Sequence, residues 1–236
     1  MKNIHHIKDK KFVNNVFDNV YENYDLMNDI MSFGSHRLWK EKFVKSLDLD
    51  LKYKIVDMAS GTGDISKLIL KRNKYQKIYR IEPNFNMLNH NISKFKNFNN
   101  VKHICSYAEN IPLKSQIIDV YLISFGLRNV SEIDKVLNEA FRILKKGGGF
   151  FCLEFYKIKK PILSKLYKLY SKTIPIFGKI FNKNSNPYEY LIQSIEDFHS
   201  QTEIKNKLNK AGFKNINIKS IFGGIASIHY GWKLND

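Results

Sequence analysis

The stretch VDMASGTGDIS, residues 56–66, decides the fold. An apolar, β-branched run stops at Gly61-x-Gly63 and gives way to residues with helical spacing. Glycines at such a junction permit a tight turn and let the backbone approach a ligand closely. The helix that follows offers unpaired N–H groups at its start. A G-x-G alone fits an ordinary strand-to-helix turn as well as a loop for a nucleoside-type cofactor, so the flanking sequence has to choose between them.

The same alternation continues on both sides of the glycines. KIVDMA (54–59), KIYRIE (77–82), VKHICSY (101–107) and IIDVYLISF (117–125) are short runs of β-branched, aromatic and other apolar residues, expected as strands buried on both faces. Segments of helical length, 64–74, 84–96 and 131–146, separate or follow them. A β-α-β order of this kind predicts a parallel, doubly wound α/β sheet. For the last helix, Ser131 and Asp134 read as a capping box, Lys145 and Lys146 as complements to the C-terminal dipole, and Gly147 as a left-handed end. GGFFCLEF (148–155) adds a strand, and NINIKSI (215–221) with GIASIHYGWK (224–233), joined at Phe222 and Gly223, a closing antiparallel pair. Seven strands result.

Residues 10–46 read as helical, with Phe12, Val16, Phe17 and Val20 at spacings of three and four, and the pattern resumes at Leu38, Trp39 and Phe43 after Gly34. Residues 1–50 are thus an N-terminal helical cover and 157–199 an inserted helical cap, within a single domain spanning 1–236 that has no repeat or linker. In the cap, Leu163, Leu166, Tyr167, Tyr170 and Ile174 fall at helical spacing among Lys165, Lys168, Lys172 and Lys179. That pattern suits an interfacial helix on anionic lipid and equally a core-facing helix with a solvated lysine face.

With 236 residues, 43% of them hydrophobic, the chain can bury one sizeable core. The net charge of +17 suggests phosphate binding, but only 5 of the 39 basic residues are Arg, whereas planar phosphate recognition favours Arg forks. A lysine surplus among many Asn and Ile also follows from an AT-rich genome, so no nucleic-acid partner is expected. Cys105 and Cys152 each sit in an apolar run without ligand spacing, and no His pattern fits a metal; His36 and His229 read as structural. No run approaches the roughly 18 apolar residues of a spanning helix, and the N-terminus lacks a signal-peptide core. A cytoplasmic protein is expected, with any membrane contact peripheral.

Three further segments end at the same sheet edge as the glycine loop. Glu82 closes the second strand 19 residues beyond Gly63, where Rossmann-like sheets keep a carboxylate for ribose hydroxyls; a solvated strand-end Glu is the plainer reading. SYAENIPL (106–113) puts Ala108 and Glu109 past the third strand, and ISFGLRNV (123–130) ends the fourth with Ser124, Gly126, Arg128 and Asn129. Arg128 either serves this crevice or pairs with a surface carboxylate.

The runs YDLMNDIMSFGSHRLWK (24–40), DMASGTGD (57–64), ISFGLRNV (123–130), LEF (153–155) and GGIASIHYGWK (223–233) closely resemble the ubiquinone/menaquinone biosynthesis C-methyltransferases. The resemblance implies a Rossmann-like, seven-stranded class I methyltransferase sheet with helices on both faces, and S-adenosyl-L-methionine as cofactor. It also implies a polyprenylated quinol acceptor, either a benzoquinol or demethylmenaquinol, methylated on a ring carbon. Carried over by position, Gly61, Thr62, Gly63, Glu82, Tyr107, Ala108 and Ser124 hold the cofactor. Arg128 and Asn129 match the acceptor-side pair, acting through a water as the base system, and Tyr24 matches an aromatic of the cover. Glu82 stands where the family usually has Asp, before an unusual Pro83, and Ser60 replaces a common Gly. A homodimer or a quinone-biosynthesis complex is left open. Competing readings are a methyltransferase for RNA or another small molecule, and a non-catalytic scaffold.

Overall fold

The computed structural model describes residues 9–32, 34–157 and 186–234. The lysine-ringed segment Leu163 to Ile174 lies outside them, as does most of the expected cap.

Seven strands form one sheet in the order β3-β2-β1-β4-β5-β7-β6. They are β1 (Lys54–Met58), β2 (Lys77–Ile81), β3 (Val101–Ile104), β4 (Ile118–Ser124), β5 (Leu144–Phe155), β6 (Lys214–Ile221) and β7 (Ala226–Trp232). The first five run parallel, whereas β7 pairs antiparallel with both β5 and β6. Three helices precede the sheet, α1 (Lys10–Asp18), α2 (Tyr24–Ser32) and α3 (Ser35–Lys45); α4 (Asp64–Arg72), α5 (Phe85–Ile92) and α6 (Ile133–Ile143) follow strands; α7 (Asn186–Glu196) and α8 (Gln201–Lys210) come before β6.

Side chains on a strand alternate between faces, and two core clusters follow that alternation. Ile55, Val120 and Leu122 pack with Phe43 of α3, Ile69 of α4 and Leu191 of α7. Val56, Tyr121 and Ile123 pack with Val136 and Leu137 of α6 and Ile204 of α8. Burial of each such aliphatic side chain contributes roughly 1.5–3 kcal/mol. Two-sided burial holds for β1 and β4 but not for β3, whose pattern after Val101 is exposed or half-buried because it is the sheet edge. β3 also ends at Ile104 rather than continuing to 107.

The expected ends of α6 are not observed. The helix begins at Ile133 with Glu132 as an uncapped N-cap, because the Ser131 backbone is drawn to Glu109, its N–H donating to the Glu109 carboxylate at 3.0 Å. It stops at Ile143, and Leu144 turns directly into β5 with extended backbone, so Lys145, Lys146 and Gly147 belong to the strand; Gly147 takes the expected left-handed backbone (φ 79°) there and not at the helix end. Lys145 pairs instead with Asp119 at 2.7 Å. The α6 C-terminal carbonyls receive a distant cation: Lys233 Nζ donates to Phe141 O and Leu144 O at 2.7 and 2.9 Å. The capping motif read from local sequence lost to tertiary partners.

His229 does have a structural role. It is fully buried, with Tyr156 Oη 3.2 Å from Nδ1 and the Gln201 carbonyl 3.1 Å from Nε2, and burial pushes its imidazole down to about 4. The neutral ring donates from Nε2 and accepts at Nδ1.

Candidate active site

The carboxyl ends of β1, β2, β3 and β4 open onto one irregular crevice. The chain leaves β1 and β4 in the left-handed region at non-glycine residues, Ala59 at φ 51° and Phe125 at φ 56°. Such backbone costs about 1–3 kcal/mol per residue and persists only where surrounding packing enforces it. Here the two strand ends approach so closely that a Cβ on Gly126 would lie 2.6 Å from the Ala59 Cβ.

The glycine loop is held from below by two buried charges. Asp57 accepts from the Ser66 N–H at 3.2 Å and its hydroxyl at 2.5 Å, and burial raises its carboxyl to about 6. Arg80 donates from Nη2 to Gly61 O at 3.0 Å, and its guanidinium lies 4.2 Å from the centre of the Phe95 ring. The two glycines then differ. A Cβ on Gly63 (φ 81°) would meet Phe95 Cζ at 2.6 Å, whereas one on Gly61 (φ 51°) would point to Met87 Sδ and Tyr24 Cε1 at 3.6 Å, within the crevice lining.

Glu82 is buried at the end of β2, and its Oε2 accepts from the Gly61 N–H at 2.9 Å and its Oε1 from the Asn84 N–H at 3.0 Å. Desolvation pushes the carboxyl up to about 7 against the pull of those two donors. Asn84 also caps α5 through Met87 N at 2.7 Å and donates from Nδ2 to Asp18 Oδ1 at 2.8 Å, which locks α1 onto this edge. Helix α1 contributes Lys10, Val13, Asn14 and Phe17 to the crevice wall. Lys10 Nζ lies 4.7 Å over the Tyr107 ring and 3.7 Å from Glu109.

Of the residues singled out in the sequence, Tyr24, Gly61, Glu82, Tyr107, Ala108, Glu109, Gly126 and Asn129 line this crevice together. Thr62, Gly63, Ser124 and Arg128 are not in its wall. Thr62 donates its hydroxyl to Asp25 of α2 at 3.0 Å, tying the loop to the N-terminal cover. Ser124 Oγ is buried behind the strand end with no hydrogen-bond partner among the described residues.

Arg128 and Asn129 lie on the single 3-10 turn Leu127–Asn129 that follows β4. The Arg128 side chain is 1% exposed and its Nη1 donates to Glu154 Oε1 at 2.6 Å and to Phe125 O at 2.7 Å; Nε donates to Ser194 Oγ of α7 at 3.2 Å. The Arg128 backbone N–H donates to the other Glu154 oxygen at 3.1 Å. Burial alone would lower the guanidinium's pKa, but Glu154 and the nearby Tyr24 and Tyr190 raise it on balance, so it stays charged. The expected alternative for Arg128, a surface carboxylate partner, is replaced by a buried one. Asn129 accepts at Oδ1 from the Tyr190 hydroxyl at 3.1 Å and lies with Nδ2 3.4 Å from Phe125 O.

Arg80, Glu154, Tyr190, Ser194 and Asn84 had no assigned role in the sequence. Arg80 and Glu154 did carry a signal, since each is a charge inside an otherwise apolar strand run; Tyr190 and Ser194 carried none.

The comparisons with known proteins agree with this geometry. The ubiE/COQ5 methyltransferase family model matches residues 4–233. The ubiquinone/menaquinone biosynthesis C-methyltransferase UbiE of Rickettsia bellii is 43% identical over 233 residues, covering 95% of this chain and 94% of the relative. That of Rickettsia prowazekii is 40% identical over 241 residues, with 99% and 97% coverage. Among solved structures, a SAM-dependent methyltransferase of Thermotoga maritima, a possible histamine N-methyltransferase, superposes with a TM-score of 0.67 at 22% identity, covering 94% and 99% of the two chains. Human N-acetylserotonin methyltransferase in complex with SAM gives 0.64 at 17% identity, covering 93% and 59%. At such identities the structural matches speak for the seven-stranded methyltransferase fold; the full-length sequence matches go further, and the chain belongs to the ubiE/COQ5 methyltransferase family.

Proposed function

We propose that this chain is an S-adenosylmethionine-dependent C-methyltransferase that methylates the ring of a polyprenylated quinol in ubiquinone or menaquinone biosynthesis, acting as one methyltransferase domain. The observation that carries the reading is the meeting of Gly61 and Glu82 with Tyr24 and Asn129 across a single crevice.

The residues present fit the cofactor. The side-chain-free face of Gly61 leaves room for close approach, and a buried carboxylate, Glu82, stands where ribose hydroxyls would seek acceptors. Gly61, Glu82, Tyr107 and Ala108 would hold it directly, with Thr62, Gly63 and Ser124 supporting from behind. When bound, the cofactor supplies a methyl group on a sulfonium sulfur that departs as a neutral thioether. The chain's own work is orientation: the acceptor carbon must be kept about 3–3.5 Å from that methyl, in line and away from water. Val13, Phe17 and Met87 supply apolar wall for this purpose. Arg128, engaged by Glu154, is a positioning residue on this reading, and the direct contact with the acceptor falls to Asn129 and Tyr24. Burial raises the Tyr24 pKa, which keeps its phenol protonated.

Among the described residues no helix is long and apolar enough to cross a membrane. The acceptor's isoprenoid tail is membrane-soluble, and peripheral contact with anionic lipid is part of the proposal. The test is incubation of purified protein with S-adenosylmethionine and a reduced short-chain quinol, with products read by mass spectrometry. A one-methyl mass gain on the ring is expected. Saturable cofactor binding with no methylated quinol would overturn the reading in favour of a scaffold.

A further inference from the structure

We infer that Tyr190 is a positioning residue of the acceptor site, which fixes the Asn129 amide so that it presents an N–H, not a carbonyl, to the acceptor's ring oxygen. The inference rests on the quinol-methylation reading above and deepens it.

Asn129 lies with its terminal amide between two neighbours, the Phe125 carbonyl at 3.4 Å and the Tyr190 hydroxyl at 3.1 Å. A backbone carbonyl can only accept, so the amide atom against Phe125 must be nitrogen. The oxygen then faces Tyr190, which must donate. Tyr190 can do so throughout the working pH range, because burial pushes its phenol up to about 12. The titratable groups around that phenol are Arg128, which favours its ionisation, and Glu154 and Tyr24, which oppose it.

An amide nitrogen has two hydrogens and only one can lie on Phe125 O. The second is the group that Asn129, a member of the crevice wall, can offer to a ligand. With its oxygen engaged by Tyr190, the amide is poorly suited to receive a proton through a water. It is well suited to stabilise negative charge on a phenolic oxygen, and an ionised ring oxygen is what makes the neighbouring ring carbon nucleophilic. Tyr190 never touches the acceptor on this view; it polarises the amide and prevents its flip. The ring of Tyr190 is held independently, edge-on to Phe12 at 5.8 Å, so removing the hydroxyl leaves its packing in place.

The test compares wild type, Tyr190→Phe, Asn129→Ala and the double variant. Loss of a donor aimed at developing oxyanion charge lowers turnover by about 10²–10³-fold, so Asn129→Ala should fall in that range. Tyr190→Phe should lose roughly tenfold in kcat with little change in KM. The double variant should be no slower than Asn129→Ala alone, as expected of two residues acting in series. The readout separate from turnover is the ionisation of a bound fluorinated hydroquinone, followed by ¹⁹F NMR in wild type and Tyr190→Phe; its midpoint should rise by about one pH unit in the variant. An unchanged midpoint, or additive losses in the double variant, would overturn the role of Tyr190 while leaving quinol methylation intact. A wild type that binds cofactor but never methylates the quinol would overturn the functional reading itself and this inference with it.

Discussion

The two halves of the crevice are built by different means. On the β1–β2 side, the Gly61 N–H, the Asn84 N–H and the Glu82 carboxylate are brought together within 23 residues of chain, and the loop's shape comes from glycines in the left-handed region. On the β4 side, Arg128 and Asn129 are held by Glu154, Tyr190 and Ser194, partners 26, 61 and 66 residues away. A cofactor common to many enzymes can be met by a local motif of backbone and one carboxylate. On the function proposed above, an acceptor specific to one family is met by side chains that only the completed tertiary structure can aim.

The sharpest way to probe that contrast is to break the distant partnership. Glu154→Gln leaves the Arg128 guanidinium buried without a counter-ion, and uncompensated buried charge costs about 3–5 kcal/mol. Urea unfolding should register that loss; a variant as stable as wild type would mean that Arg128 does not depend on Glu154. The glycine loop is tested next. Gly63→Ala forces a Cβ into Phe95 at a left-handed position and should cost about 2–4 kcal/mol. Gly61→Ala has room for its Cβ and should cost only about 1–2 kcal/mol of backbone strain, yet weaken cofactor binding more than Gly63→Ala does. Equal effects on melting and on binding in the two variants would erase the distinction between a packing glycine and a lining one.

The smallest effect concerns protons. Burial raises the Glu82 carboxyl from 4.5 to about 7, so the folded protein holds this proton more tightly than the unfolded chain. The stability contributed is present below the lower value and is lost as pH rises through the higher one. The ionised carboxyl accepts from ribose hydroxyls more strongly than the neutral acid, so cofactor affinity should rise with pH over the same window, by at most about tenfold per unit, and level off above about 7. Calorimetry in buffers of different ionisation enthalpy should detect proton release near pH 6. In Glu82→Gln both the release and the pH dependence should vanish; their persistence would assign the proton elsewhere.

How much of this was legible in the sequence follows the same division. The strand runs, the glycine loop and Glu82 could be read because each is decided by residues adjacent in the chain. Arg128 and Asn129 could be placed at the crevice mouth by the strand that ends before them; the resemblance to quinone methyltransferases gave them a role and added Tyr24, but not what holds them. Nothing around Tyr190 sets it apart from the other tyrosines, since its significance lies in meeting Asn129 across the fold. The expected Ser131 cap failed for the same reason in reverse: a sound local motif yielded to Glu109, a partner the linear pattern does not display. Lys233 capping α6 from the end of the chain is a third instance.

The placement of β7 has a consequence for synthesis. Although β7 follows β6 in the chain, it is threaded between β5 and β6, so β5 keeps one side unpaired until residues 226–232 leave the ribosome. Over the last third of translation, from the completion of β5 at Phe155 onward, the nascent protein therefore carries an open hydrogen-bonding edge along Gly149–Phe155, the kind of surface on which chains associate wrongly. Chaperone demand should be concentrated at this late stage and should ease abruptly once the final strand slots in.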